Sequence, residues 1–160
     1  MPTIYDILDE LEIPYTEYKH PPVYTVEEAE RLARNVPGEI AKNLFLTNKE
    51  ENKFYLVSVL PQKRIDLKQL QELLKESKLH FASPGQLYQY LRQLPGAVSP
   101  LGLMHDSKKE VVYLIDKDIL TRSGVCVHPN VNTATLAIQK KGFKRLLKWW
   151  GNTVIEIDIK

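Results

Sequence analysis

The sequence predicts one α+β domain built on a mixed sheet, and three observations carry that expectation. The chain has 160 residues, the length of one ordinary domain, and no internal repeat, low-complexity tract or linker divides residues 1–160. Its composition, 43% hydrophobic and 26% charged, is that of a globular protein. Helical and strand patterns follow one another irregularly, which favours a mixed sheet with packed helices over a repeating βαβ array.

The elements follow in order. Ile4, Ile7, Leu8 and Leu11 recur at helical spacing, so Thr3–Glu12 reads as a helix that Pro14 ends. Tyr15–Lys19 reads as a short strand. Thr25 and Glu28 form a capping-box pattern that opens a helix through about Arg34, with Pro37-Gly38 as its break. Ile40–Thr47 and Lys53–Leu60 are β-rich runs joined by polar residues, and so predict an antiparallel hairpin. Asp66 caps a helix over Leu67–Glu76, and Ser83-Pro84 with Gln86 opens another that runs to about Gln93 and stops at Pro95-Gly96. Strands are expected at Val111–Ile115, Gly124–Val127, Thr133–Ile138 and Val154–Ile159, and a helix at about Lys141–Trp150.

Composition also bounds function. With one cysteine, Cys126, there is no internal disulfide to form, and neither CxxC nor HExxH spacing occurs, so the expectation is a chain without metal or cofactor. The apolar runs fall short of the ~20 residues that cross a bilayer, and MPTIYDILDE lacks the basic and apolar regions of a secretory signal. A cytoplasmic protein with no membrane partner is expected. A net charge of +2 neither demands nucleic acid nor excludes a local basic surface.

Three segments depart from simple packing patterns. In GAVSPLGL, Gly96–Leu103, two glycines flank a proline. Such a loop can aim backbone N–H groups at a carbonyl or a developing oxyanion, and it can equally be a tight turn. Lys42 lies in the apolar run AKNLFL, where its ammonium either snorkels to an edge or meets an anion in a cleft; Asn43 faces the other side of a regular strand, so a common site requires a bulge or twist. In HPNVNTAT, His128 leaves a strand at Pro129-Asn130 and is placed to hydrogen-bond a ligand. Cys126 and His128 share a strand face as a dyad would, but burial is the commoner fate of a cysteine. His20, His80 and His105 read as surface or structural. On the last helix Phe143, Leu146, Leu147 and Trp150 face one way, while Lys141, Lys144, Arg145 and Lys148 form a stripe that is either solvated or a contact for a phosphate backbone.

Taken together, His20-Pro21, Thr25–Ala29, PGEIAKNLFL, FASP, PGAVSPLGL, VVYLIDKDIL and HPNVNTAT run in order over nearly the whole chain. In that series the chain resembles the bacterial prolyl-tRNA editing proteins of the YbaK/ProX type, free-standing relatives of the editing domain inserted in some prolyl-tRNA synthetases. The resemblance implies a strongly curled mixed sheet, a pseudo-barrel, surrounded by helices. It also implies hydrolysis in trans of misacylated Ala-tRNA(Pro), with a terminal ribose hydroxyl and a water doing the proton work. HPNxNTAT resembles the alanine-editing rather than the cysteine-editing branch. By position, Lys42 would bind the acceptor end and Asn43 the terminal adenosine or its ester. Gly96, Ser99 and His128 would complete the catalytic set, with Val98, Pro100, Leu101, Gly102 and Asn130 around the aminoacyl group. The implied partners are the tRNA(Pro) acceptor end carrying a mischarged amino acid, and prolyl-tRNA synthetase. An aminoacyl ester is already activated, so a positioned water and a stabilised oxyanion suffice without a nucleophilic side chain. Ala41 stands where relatives often carry cysteine, which argues further against thiol chemistry on that strand. A Cys-tRNA(Pro) deacylase and a non-catalytic tRNA- or amino-acid-binding module are the alternatives.

Overall fold

The computed structural model describes residues 2–22, 31 and 39–159. The capping box at Thr25, its helix and the Pro37-Gly38 break lie outside those residues. The described chain runs α1 (Ile4–Glu10), β1 (Tyr15–Lys19), β2 (Glu39–Ile40), β3 (Lys42–Asn48), β4 (Phe54–Val59), α2 (Leu67–Leu74), β5 (Leu79–Phe81), α3 (Pro84–Leu91), β6 (Val111–Asp116), β7 (Gly124–Val127), β8 (Ala134–Gln139), α4 (Lys140–Trp150) and β9 (Val154–Ile157). Short 3-10 turns occupy Pro100–His105 and Ile119–Thr121. None of the described helices is long and apolar enough to cross a membrane.

Local chemistry sets the helix ends. Thr3 and Asp6 form a reciprocal capping box on α1, Asp66 accepts from the Lys68 N–H on α2, and Ser83 with Gln86 forms a second box on α3. Gly151, at φ +82°, closes α4 in the left-handed conformation.

The strands form two mixed sheets rather than one. One has the order β1-β8-β7-β2 and the other β5-β3-β4-β6-β9. Both are open among the described residues, so the expected single curled pseudo-barrel gives way to an α+β domain with paired sheets. The reason lies at Ala41: β2 pairs in parallel with β7 of the first sheet, and after that one residue β3 begins in the second, antiparallel to β4. The apolar run from Ile40 reads as one strand in sequence and serves two sheets in space.

The five-stranded sheet is covered on both faces, which accounts for the unbroken burial of β4. Phe54 and Leu56, with Phe45, Tyr113 and Ile115, face a core shared with α1, α4 and the first sheet. Tyr55, Val57 and Val59 face a second core with Leu46, Leu70 and Leu114. Helix α4 buries Phe143, Leu146, Leu147 and Trp150, as its period requires.

Candidate active site

A cleft of about 320 Å³ opens beside the start of β3, between the β5–α3 turn and the loop after α3. Among the described residues its lining is Asn43, Leu44, Phe45, Phe81, Ala82, Pro84, Leu87, Pro95, Gly96 and Val98, and of these Asn43 alone has a polar side chain. Such a cavity accepts a small apolar group and directs one amide at it; it offers nothing to a charged side chain. Larger depressions of about 580 and 430 Å³ lie at the start of α4 and between α4 and β9. Neither is lined by a residue of AKNLFL, GAVSPLGL or HPNVNTAT.

The register of β3 on β4 is continuous, with Lys42 opposite Val59 and Asn43 opposite Ser58. Strand alternation therefore puts Lys42 and Asn43 on opposite faces, and no bulge brings them together. Lys42 Nζ instead donates to the Lys63 carbonyl at 2.7 Å, on the side where Lys63 is paired with Asp116 at 3.0 Å. Asn43 faces the cleft. Its Nδ2 donates to the Val98 carbonyl at 3.3 Å and, more weakly, to that of Ala41 at 3.4 Å, while its Oδ1 accepts from the Ser58 hydroxyl.

The GAVSPLGL segment is a shaped turn packed into the core. Gly96 has φ +91°, and a Cβ there would find its nearest neighbour, Asn132 Nδ2, at 3.8 Å; the site needs glycine for its backbone and not for space. Val98 lines the cleft, but Ser99, Pro100, Leu101 and Gly102 are buried. Ser99, expected among the catalytic residues, is fully buried, and its Oγ accepts from the Leu101 N–H at 3.2 Å to cap the 3-10 turn. Pro100, Leu101 and Gly102, expected around the aminoacyl group, form the body of that turn beneath the loop. Their place follows from Gln93, which sequence reading passed over as the end of a helix. The Gln93 amide donates to the Ser99 carbonyl and accepts from the Ser99 N–H, both at 3.1 Å, and donates to Asn130 Oδ1 at 2.7 Å. One buried side chain thus ties the Gly96–Leu103 loop to the His128–Thr135 loop. Asn130 takes φ +69° to meet it, and acts from beneath the loops.

His128 does not line the cleft. Its Nδ1 donates to the Ala134 carbonyl at 3.1 Å, which directs the Nε2 lone pair outward when the ring is neutral. Burial lowers its pKa, the bond to the Ala134 carbonyl offsets only part of that, and the neighbouring His20 lowers it a little further, so the neutral form prevails at pH 7. His20, read from sequence as surface or structural, stands beside it with ring centroids 6.3 Å apart, its Nε2 on the Thr135 hydroxyl at 2.8 Å. Cys126 is 1% exposed within β7. Cys126→Ala is expected to keep deacylation within about twofold of the parent, as suits a cysteine acting as a small buried hydrophobe; a collapse of activity without unfolding would restore the Cys/His dyad.

On α4, Lys141, Lys144, Arg145 and Lys148 are all exposed. Arg145 also donates to the Leu11 carbonyl at 2.9 Å, which fastens α4 to the end of α1.

The family model for the aminoacyl-tRNA editing domain matches residues 20–146. The chain belongs to the aminoacyl-tRNA editing family. It is 42% identical over 152 residues to the prolyl-tRNA editing protein ProX of Acetoanaerobium sticklandii, covering 95% of this chain and 93% of that one. It is 33% identical to the prolyl-tRNA synthetase associated domain-containing protein 1 of Xenopus laevis, covering 94% and 91% of the two chains. A crystal structure of a candidate trans-editing enzyme for prolyl tRNA synthetase superposes with a TM-score of 0.70 at 23% identity, over 100% and 98% of the chains, and supports the shared fold. The chain is an aminoacyl-tRNA editing enzyme, a hydrolase of the ester that joins an amino acid to tRNA.

Proposed function

We propose that the chain hydrolyses Ala-tRNA(Pro) in trans. The observation that carries this reading is the cleft, whose described lining is apolar except for the Asn43 amide. A small apolar aminoacyl side chain sits against Val98, Phe45 and Leu87, and the Asn43 Nδ2 exchanges the Val98 carbonyl for the ester or the terminal ribose. The ribose hydroxyl and a bound water then carry the proton, and the amide with the Gly96–Val98 backbone steadies the tetrahedral oxyanion. His128 Nε2 contributes a neutral acceptor from the neighbouring loop. Lys42 keeps two ammonium donors beyond the one on Lys63, and these serve phosphate at the acceptor end from the opposite face of the sheet. Prolyl-tRNA synthetase is the enzyme whose errors this activity would remove, and the cytoplasm is where both would meet.

Specificity has a physical reason. A synthetase pocket built for proline cannot strongly reject alanine, since each missing methylene costs only ~1–3 kcal/mol, so a second sieve is needed. Purified protein should deacylate Ala-tRNA(Pro) fastest and spare Pro-tRNA(Pro). Faster cleavage of Cys-tRNA(Pro) would overturn the alanine assignment, and binding of Ala-tRNA(Pro) with no acceleration would make the chain a binding module.

The stripe on α4 gives a second expectation. Reversing Lys144 and Lys148 to glutamate should weaken tRNA binding and lower the slope of log affinity against log salt by about one per lost contact. Hydrolysis of a minimal aminoacyl-nucleoside should not change. Unaltered affinity at low salt would leave the stripe as a solvated face.

A further inference from the structure

Two polar side chains, Ser58 and Tyr113, stand in the core beneath Asn43, where the sheet is otherwise apolar. Asn43, Ser58 and Tyr113 lie on neighbouring strands β3, β4 and β6 and point to the same face. Ser58 is 1% exposed and Tyr113 fully buried. The Tyr113 hydroxyl donates to Ser58 Oγ at 2.7 Å, and Ser58 Oγ donates in turn to Asn43 Oδ1. With the phenol proton spent on Ser58, the serine proton has one acceptor left, the amide oxygen of Asn43. An amide whose oxygen is held in this way can present only its NH2 to the cleft. Burial pushes the Tyr113 ionisation upward and the Ser58 bond only partly offsets it, so the direction of the chain persists across physiological pH.

We propose that Ser58 and Tyr113 are positioning residues that fix the Asn43 side chain in the rotamer and flip state in which its Nδ2 faces the substrate. The inference rests on the reading of Asn43 as the amide that meets the aminoacyl ester. Without the Ser58 proton, that flip is held only by the long Nδ2 contacts to the Val98 and Ala41 carbonyls, at 3.3 and 3.4 Å, and the first of these is given up when the ester binds. Bound molecules in the other flip aim a carbonyl oxygen at the developing oxyanion. The loss therefore falls on kcat, because ground-state contacts in the apolar cleft are untouched.

The test is a double-mutant cycle on Ala-tRNA(Pro), with thermal melts to confirm folding. Ser58→Ala should lower kcat by about tenfold with KM little changed, and Tyr113→Phe by about threefold, in keeping with the modest net worth of one neutral hydrogen bond. In an Asn43→Ala background, followed at single turnover, Ser58→Ala should have no further effect. A packing role would give the same loss in both backgrounds, and that result, or a Ser58→Ala variant with unchanged kcat, overturns the proposal. The side-chain NH2 resonances of Asn43, assigned by their disappearance in Asn43→Ala, give a reading independent of turnover. They should shift and broaden in Ser58→Ala, and resonances left in place would refute the relay. A parent protein that cleaves no aminoacyl-tRNA would instead remove the deacylase reading while these resonances still decide the relay.

Discussion

Asn43→Ala is expected to lower kcat/KM for deacylation by about 10²–10³-fold, the range found when one preorganised oxyanion donor is removed. The size follows from the cleft: among the described residues its other lining side chains are apolar, so none of them can take over the lost donor. The substitution also leaves the Ser58 proton without its acceptor in a buried place, which costs about 1–3 kcal/mol of stability. A fall in Tm of roughly 2–4 °C per kcal/mol accompanies that in a chain of this size, so rates belong well below the melting range. Asn43→Asp separates charge from shape, because a carboxylate beside the Val98 carbonyl repels both that oxygen and the oxyanion. Activity of the alanine variant within about fivefold of the parent would remove Asn43 from the reaction, since no donor of the expected weight could be lost so cheaply.

The second large effect is expected at Gly102. A Cβ there would lie 2.7 Å from Gln93 Nε2, 2.8 Å from Gln93 Cδ and 2.9 Å from Leu91 Cβ. Gln93 is 1% exposed and Leu91 fully buried, so neither can swing into solvent. Gly102→Ala should therefore lose about 1–3 kcal/mol to overpacking. It should also displace the Gln93 amide from Ser99 and Asn130, and so loosen both loops around the site at once. The expected signature is a lower Tm joined to a fall in deacylation that Gln93→Ala reproduces without the steric load. Gly96→Ala is the contrast, because its Cβ meets only an ordinary contact with Asn132 at 3.8 Å and its φ of +91° alone resists, at about 1–2 kcal/mol. A Gly102→Ala variant that melts and cleaves like the parent would show that Gln93 does not hold the loops.

Much of this was legible in the sequence, for reasons that can be named. The caps at Asp66 and Ser83 are local hydrogen bonds, and they stand where their spacing put them, while the Thr3 box was not read in advance. The hairpin Lys42–Val59 and the strand Gly124–Val127 followed from β-rich runs with polar ends. The three-residue strand Leu79–Phe81 is too short to show a period, and the 3-10 turn at Pro100–His105 looks like loop because Gly and Pro punctuate both. Strand alternation separated Lys42 from Asn43 in advance, and the structure keeps them apart. Ser58 and Tyr113 carried no local signal because their partners lie on other strands, and Gln93 joins nearby Ser99 to Asn130 on a loop far along the chain, which no local pattern shows. His20 was visible only as part of the His20-Pro21 match, and what pairs it with His128 is the β1–β8 register at the far end of the chain.

The exchange of sheets at Ala41 bears on how the chain comes to be folded during synthesis. The hairpin β3–β4 closes locally, but the other neighbour of β4 is β6, which arrives only with residues 111–116, and β6 in turn waits for β9. Among the described residues, strand β1 pairs only with β8, from the opposite end of the chain. Such pairings put the closure of long loops before the reward of burial, which slows folding. Until Val111–Asp116 leave the ribosome, β4 carries six residues meant for the interior along an edge with nothing beside it, and the nascent chain meets the cell as a sticky hairpin before it becomes an enzyme.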